Sequence, residues 1–438
     1  MNDPLVYVRF VHFAATIMVA GVVFFAVSIG EPTFRKAKHA PRLTAVIRFR
    51  FACIAWIGLA FALLSGAAWL ILTAAAMSGQ PVAQTFSGGV LSVVLLQTEF
   101  GNDWLVRFAL ACCLAAIFFP LFSAQSAKPG WIGIAAPILA AAFVGSLAWA
   151  GHAIGGQGIE GIVHPAADIL HLVAAAAWVG ALIPLALLLQ AAAQDSDTLG
   201  AARTATFRFS TLGMGAVGTL LVTGMINSWY LVGSVAALIG TDYGRLLLAK
   251  IALFAIMVAL AAFNLLRLTP RIAQRESAGT AAPALRQLRR NAAIEATAGA
   301  MVIAVVAVLG TLPPASHIHL HGAAGAIPAD ASFQHIHTEN GMADVTVEPG
   351  HVGIAGVTIR LWDADENPLE AKAVTLTLTP PAPGGKPITR FAALNADGLW
   401  QVDGIKLSQP GNWTVTVSAM LGSGQRLVLA APIVIDAK

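Results

Sequence analysis

Eight long, charge-poor apolar stretches constrain this chain more than any other feature. They run at about 5–29, 51–76, 104–125, 131–150, 165–190, 208–232, 243–268 and 292–312. A bilayer core needs about 20 apolar residues per crossing helix, and each stretch supplies them. Inside hydrocarbon no water pairs with the backbone, so such stretches have to be helical. Composition agrees: 57% of the 438 residues are hydrophobic and 11% are charged, against roughly 25% charged in soluble domains. That excludes an ordinary soluble globule, and the apolar content excludes a disordered chain. Asp3 stands where a signal peptide carries basic residues, and no cleavage site follows, so the first stretch is expected to remain as a helix.

Lys and Arg fall in alternate loops. Arg35, Lys36, Lys38, Arg42, Arg48 and Arg50 follow the first stretch, Lys128 the third, and Arg203 and Arg208 the fifth. Arg267, Arg271, Arg275, Arg286, Arg289 and Arg290 follow the seventh, while 77–103, 151–164 and 233–242 contain no Lys or Arg. The positive-inside rule then places the odd loops in the cytoplasm and both termini outside. The expected setting is a bacterial inner membrane with both ends periplasmic. The formal charge of +4 is spread over short loops, so no nucleic-acid partner is expected; the first partner is the bilayer. Cys53, Cys112 and Cys113 lie inside apolar stretches, with no disulfide framework, and the adjacent Cys112 and Cys113 read as packing residues.

The helical part repeats itself. His12 precedes Gly21 as His171 precedes Gly180; Arg50-Phe51 leads to Ser65-Gly66 as Arg208-Phe209 leads to Thr223-Gly224. Thr98-x-Phe100-Gly101 leads to Arg107 as Thr241-x-Tyr243-Gly244 leads to Lys250. A shift of four helices preserves direction, so the expected architecture is two parallel four-helix halves. Arg107 and Lys250 are expected to snorkel outward or pair with Glu99, Asp103 or Asp242.

Ionisable groups within spans are costly and mark function by default. His12 and His171 lie at similar depth from the outer side, His152 ends the fourth helix, and His164, Asp168 and His171 share one face at i, i+4, i+7. Converging imidazoles suit Cu, Zn, Fe or Ni, and Asp168 could orient a ligating ring. Met225 and Met77, toward the outer ends of their helices, would add thioethers suited to Cu(I). The plain alternative is an interhelical hydrogen bond for each His and packing for each Met.

Beyond Pro313-Pro314, five of the eleven histidines fall within 317–337, as His317-Ile-His319-Leu-His321 and His335-Ile-His337. In extended chain, alternate residues share a face, so each H-x-H pair can present two imidazoles to one ion. Copper is favoured by the Irving–Williams order, and Met342 and His351 stand nearby. A solvated His-rich linker is the alternative. Residues 313–341 are therefore set apart as a metal-binding segment between a membrane domain, 1–312, and a β domain, 342–438. The β-formers at 346–347, 357–361, 374–378, 391–394 and 413–417, with turn residues between, suggest an immunoglobulin-like sandwich. No hydrolase triad or phosphate loop is present, and no enzyme is expected.

Gly151-His152-Ala153, His164-x3-Asp168-x2-His171 running to Trp178-Val179-Gly180, Asn227-Ser228-Trp229 before Val232-Gly233-Ser234, and Thr241-x-Tyr243-Gly244-Arg245 with Lys250 and Asn264 resemble the copper resistance protein D (CopD) family. Residues 342–438 resemble the YtkA-like immunoglobulin fold; the CopC-like domain of some family members is lacking here. The resemblance implies an inner-membrane protein moving copper from periplasm toward cytoplasm in copper homeostasis and resistance. It implies His152, His164 and His171 as motif histidines and Asp168 as the motif acid. Two other readings stand beside it: a b-type cytochrome holding haem b between His12 and His171, and a non-transporting copper sensor or docking platform. A periplasmic copper carrier and a homo-oligomer are compatible with each.

Overall fold

The structure is a computed structural model. It describes residues 3–36, 41–78, 81–86, 89–123, 130–150, 159–192, 199–274, 278–312, 314–315, 328, 330–338, 341–363, 368–381, 386–422 and 424–437. The chain divides into two compact units, Met1–Leu320 and His321–Lys438.

Among the described residues, eight helices of the first unit are long and apolar enough to cross a membrane. They are α1 (Pro4–Phe25), α2 (Pro41–Ser78), α3 (Glu99–Phe122), α4 (Ile132–Gly145), α5 (Glu160–Ala192), α6 (Leu199–Val232), α7 (Asp242–Phe263) and α8 (Ala278–Leu309). Two of them continue through a single π-helical turn, α1 through Ala26–Gly30 and α7 through Asn264–Leu268, and α4 reaches crossing length with the 3-10 segment Ser146–Ala150 that follows it. Helix α1 packs against α2, α4, α5 and α8, and α5 against α6 and α8. The two first helices of the halves thus form the centre.

Glycine makes that centre possible. A Cβ on Gly21 would collide with the backbone of Gly180, and one on Gly180 with the backbone at Ile17. Small residues let transmembrane helices approach this closely, so dispersion between backbones replaces the hydrophobic effect that lipid cannot supply.

The repeat is reproduced in local detail. A short helix, Val90–Gln97, precedes α3, and another, Val235–Gly240, precedes α7. The Thr98 hydroxyl caps α3 by accepting from Gly101 N at 3.0 Å, and Thr241 caps α7 by accepting from Gly244 N at 2.9 Å. Each hydroxyl donates back to the short helix, Thr98 to Val94 O at 2.6 Å and Thr241 to Ala237 O at 2.8 Å. At the Arg-rich end, basic side chains tie helix ends together. Arg48 pairs with Glu31 at 3.0 Å, Arg208 donates to Ser28 O at 3.1 Å and Arg203 to Ile272 O at 2.9 Å.

The second unit holds β1 (Ser332–Thr338), β2 (Gly341–Glu348), β3 (Gly353–Trp362), β4 (Ala371–Thr379), β5 (Ile388–Leu394), β6 (Trp400–Leu407), β7 (Gly411–Leu421) and β8 (Arg426–Ile435). All pairs are antiparallel, in the order β1-β2-β3-β6-β5-β4-β7-β8. β5 and β6 share only two residue pairs, Ala393 with Gln401 and Leu394 with Trp400, so the sheet folds there into two layers. Alternate residues of both layers, among them Val345, Val357, Leu376, Val402, Val415 and Leu429, fill one core. Strand β1 lies ahead of residue 342, inside the segment the sequence sets apart as a His-rich linker, because Ile336 is buried in that core.

Candidate metal centre

The two repeated histidines sit in homologous frames with different chemistry. His12, 1% exposed, directs Nδ1 at Ala62 O (3.0 Å) and Ser65 Oγ (3.1 Å) of α2. Its Nε2 lies 2.8 Å from an Arg107 terminal nitrogen. A guanidinium only donates, so Nε2 accepts and Nδ1 carries the proton given to α2. Arg107, 2% exposed, also donates to Ser146 Oγ at 2.6 Å and Phe143 O at 3.3 Å. Trp69 and Trp104 meet the imidazole edge-on, with centroids 5.7 and 5.0 Å away. The lone pair a metal would need is therefore engaged by Arg107. The arginine does not snorkel outward; both its terminal nitrogens are bonded inside the first half.

His171 directs Nδ1 at Thr223 Oγ1, 2.9 Å away. The Thr223 hydroxyl donates to Thr219 O at 2.7 Å, so it accepts from His171, and Nδ1 again carries the proton. Thr223 repeats Ser65, and Gly224 faces His171 Cε1 as Gly66 faces His12 Cε1. The difference is at Nε2: Thr223 supplies the ring's one hydrogen bond among the described residues, so that lone pair is open. Lys250, the repeat partner of Arg107, acts electrostatically on both His171 and Asp168. Asp168 accepts from Asn227 at 3.2 Å, and His164 stacks on Tyr230 with centroids 5.0 Å apart. His164, Asp168, His171, Asn227 and Lys250 thus converge at one end of the second half.

Other expected residues lie elsewhere. Met225 is 74% exposed, on the outside of α6, and Met77 is exposed too. His152, His317, His319 and His321 lie outside the described residues, as does the side chain of His337. In the β domain, His335 Nδ1 lies 2.7 Å from Asp344 Oδ1 across the β1–β2 pair, and His337 is in register with the buried Met342. Among the described residues, no three His, Cys, Asp or Glu side chains are close enough together to hold an ion by themselves. Cys112 and Cys113 are exposed on α3.

Sequence reasoning missed one polar group. Glu295 of α8, Asn291 of α8 and Asn264 at the end of α7 form a buried cluster, with Asn264 Nδ2 donating to Glu295 Oε1 at 2.7 Å. A lone glutamate inside the eighth apolar stretch was the available signal.

Residues 1–162 match the family model for the copper resistance protein D-like N-terminal domain, and 201–309 the model for copper resistance protein D. Copper resistance protein D of Pseudomonas syringae pv. tomato is 32% identical over 323 residues, 72% of this chain and 98% of that protein. The chain belongs to the copper resistance protein D family. The copper transport protein CutJ of Bacillus subtilis is 26% identical across 94% of this chain and 71% of its own length. The inner membrane protein YebZ of Escherichia coli is 30% identical across 70% of this chain and 97% of its own. Family membership and eight apolar helices identify a multi-pass inner-membrane protein. The N-terminal match contains His12 and Arg107, and the second match Thr223, Lys250 and Glu295; His164, Asp168 and His171 fall between the two. The haem b alternative finds no support, since two of these relatives are named for copper and His12 Nε2 is engaged by Arg107.

Proposed function

We propose that this protein handles copper in the inner membrane by admitting it at the outer end of the second half and passing it toward the cytoplasm. The observation that carries this reading is the open Nε2 of His171 beside Asp168, His164 and Lys250. A neutral imidazole with its proton pinned elsewhere is a ready ligand for Cu(I) or Cu(II), and Thr223 supplies the fixing hydrogen bond. Asp168 contributes the negative charge an incoming cation needs, and Lys250 balances that charge while the site is empty.

In this reading both termini are periplasmic, as the alternation of basic loops requires, and the basic helix ends face the cytoplasm. The outer histidines, His152 and the His317–His337 segment, capture the ion, with His335 and Met342 on the first strand pair of the β domain. A periplasmic copper carrier is the natural donor to that segment. The His12 position serves the first half as structure while Arg107 occupies its Nε2.

Copper accumulation by cells carrying the full chain tests this. The His164→Ala/His171→Ala double variant is expected to lose accumulation; uptake equal to wild type at equal membrane abundance would sink the reading. Binding without movement in vesicles would instead favour a sensor or docking platform.

A further inference from the structure

Glu295 belongs to no part of the route proposed above. It lies near the middle of the Ala281–Leu309 span and is 2% exposed. Asn264 donates to its Oε1 at 2.7 Å, the indole N–H of Trp178 donates to the same carboxyl group, and Asn291 Nδ2 holds Asn264 Oδ1 at 2.6 Å. The groups facing it come from α5, from the end of α7 and from α8 itself. None of them is charged, and no charged side chain among the described residues acts on it electrostatically. Arg267, Arg271, Arg289 and Arg290 on the neighbouring turns are exposed.

Asn264 opens the π-helical turn Asn264–Leu268, a backbone irregularity frequent at functional sites. Lys250, Met257 and Asn264 recur every seven residues and so share one face of α7. Buried Met257, packed with Ala174, Trp178 and Leu220, separates the His171 cluster from the Glu295 cluster.

An ionised carboxylate inside a membrane bundle is costly without a counter-charge. Two N–H donors aimed at it make the ionised form bearable, because hydrogen bonds to an ionised acceptor are the strong kind. A carboxyl group held between those demands suits repeated loading and unloading of a proton. We propose that Glu295 is a proton-exchange site of the membrane domain, releasing and regaining one proton as copper passes the His171 cluster. In the release step the carboxyl O–H bond breaks and the proton passes to a water molecule that reaches the cluster. The carboxylate left behind accepts from Asn264 and Trp178, and reprotonation reverses the step. The coupling to copper rests on the reading above; the proton site does not.

Dicyclohexylcarbodiimide reacts with protonated carboxyl groups in apolar surroundings. Full-length protein in lipid vesicles should be labelled at Glu295, as mapped by peptide mass spectrometry, with labelling falling as pH rises. No label there, or labelling equal at every pH, overturns the proposal. In the same vesicles with an enclosed pH dye, Cu(I) addition should drive a proton flux that Glu295→Gln lowers at least tenfold and Glu295→Asp partly restores. A Glu295→Gln flux equal to wild type overturns the coupling. If wild type moves no copper at all, the transport reading fails, and the labelling still decides whether Glu295 exchanges protons.

Discussion

In the first half, His12 is bound at both ring nitrogens, roofed by Trp69 and Trp104, and anchored to an arginine that also grips α4. In the second half, the same frame holds His171 at one nitrogen among the described residues, and a lysine stands where the arginine was. Helices α2 and α3 pack against each other, whereas their counterparts α6 and α7 barely touch and are far less buried. The repeat therefore copies a scaffold without copying a site. Arginine has a rigid fork of five donors that can bond His12 and Ser146 together; lysine is a compact charge on a flexible stem. The change of base at this repeated position is one of the differences that make one half a clamp and leave the other open.

Four experiments test that asymmetry. The largest effect is expected from Arg107→Met, which removes a buried hub and leaves His12 Nε2 and Ser146 Oγ without their donor. Each buried acceptor left without its donor typically costs about 1–3 kcal/mol. Thermal unfolding in detergent should show this; a stability equal to wild type would overturn the clamp. Next comes copper content of purified protein: His171→Phe should lower it at least tenfold, and His12→Phe should change stability and leave it near wild type. The reverse order would move the site to the first half.

A smaller, symmetric effect is expected at the central crossing. Gly21→Ala and Gly180→Ala should each destabilise by about 1–3 kcal/mol through overpacking, because a Cβ at either would strike the other helix's backbone. Unequal responses would show that the approach of the two helices is not shared evenly. The smallest effects belong to the caps: Thr98→Ala and Thr241→Ala should each cost about 1 kcal/mol, read as faster amide exchange in the first turn of α3 or α7. A cap loss in one half only would show that the repeat is less regular than its hydrogen bonds suggest.

Much of the scaffold was legible. Apolar length marked all eight spans, and the matched landmarks His-Gly, Ser-Gly or Thr-Gly, and Thr-x-Phe-Gly or Thr-x-Tyr-Gly marked the repeat. The structure realises those landmarks as a central crossing, a histidine partner and a helix cap. The face made by His164, Asp168 and His171 was legible too, because helical periodicity alone puts them together. Met225 was misleading, since its distance along the helix from Thr223 says nothing about which way it points, and it faces outward. Glu295 passed unremarked because its partners Asn264 and Trp178 come from two other helices, at separations no local pattern spans.

The sequence by itself determined the number of membrane crossings, the parallel repeat and the two-domain plan. Those follow from properties each residue carries along the chain: length of apolar run, charge, and helical or strand period. Only the tertiary structure decided which histidine is open. The protonation of an imidazole, and whether its second nitrogen is engaged, depend on donors brought from other helices. In this protein that donor is an arginine 95 positions away from His12, in contact only once α1 and α3 are packed in place.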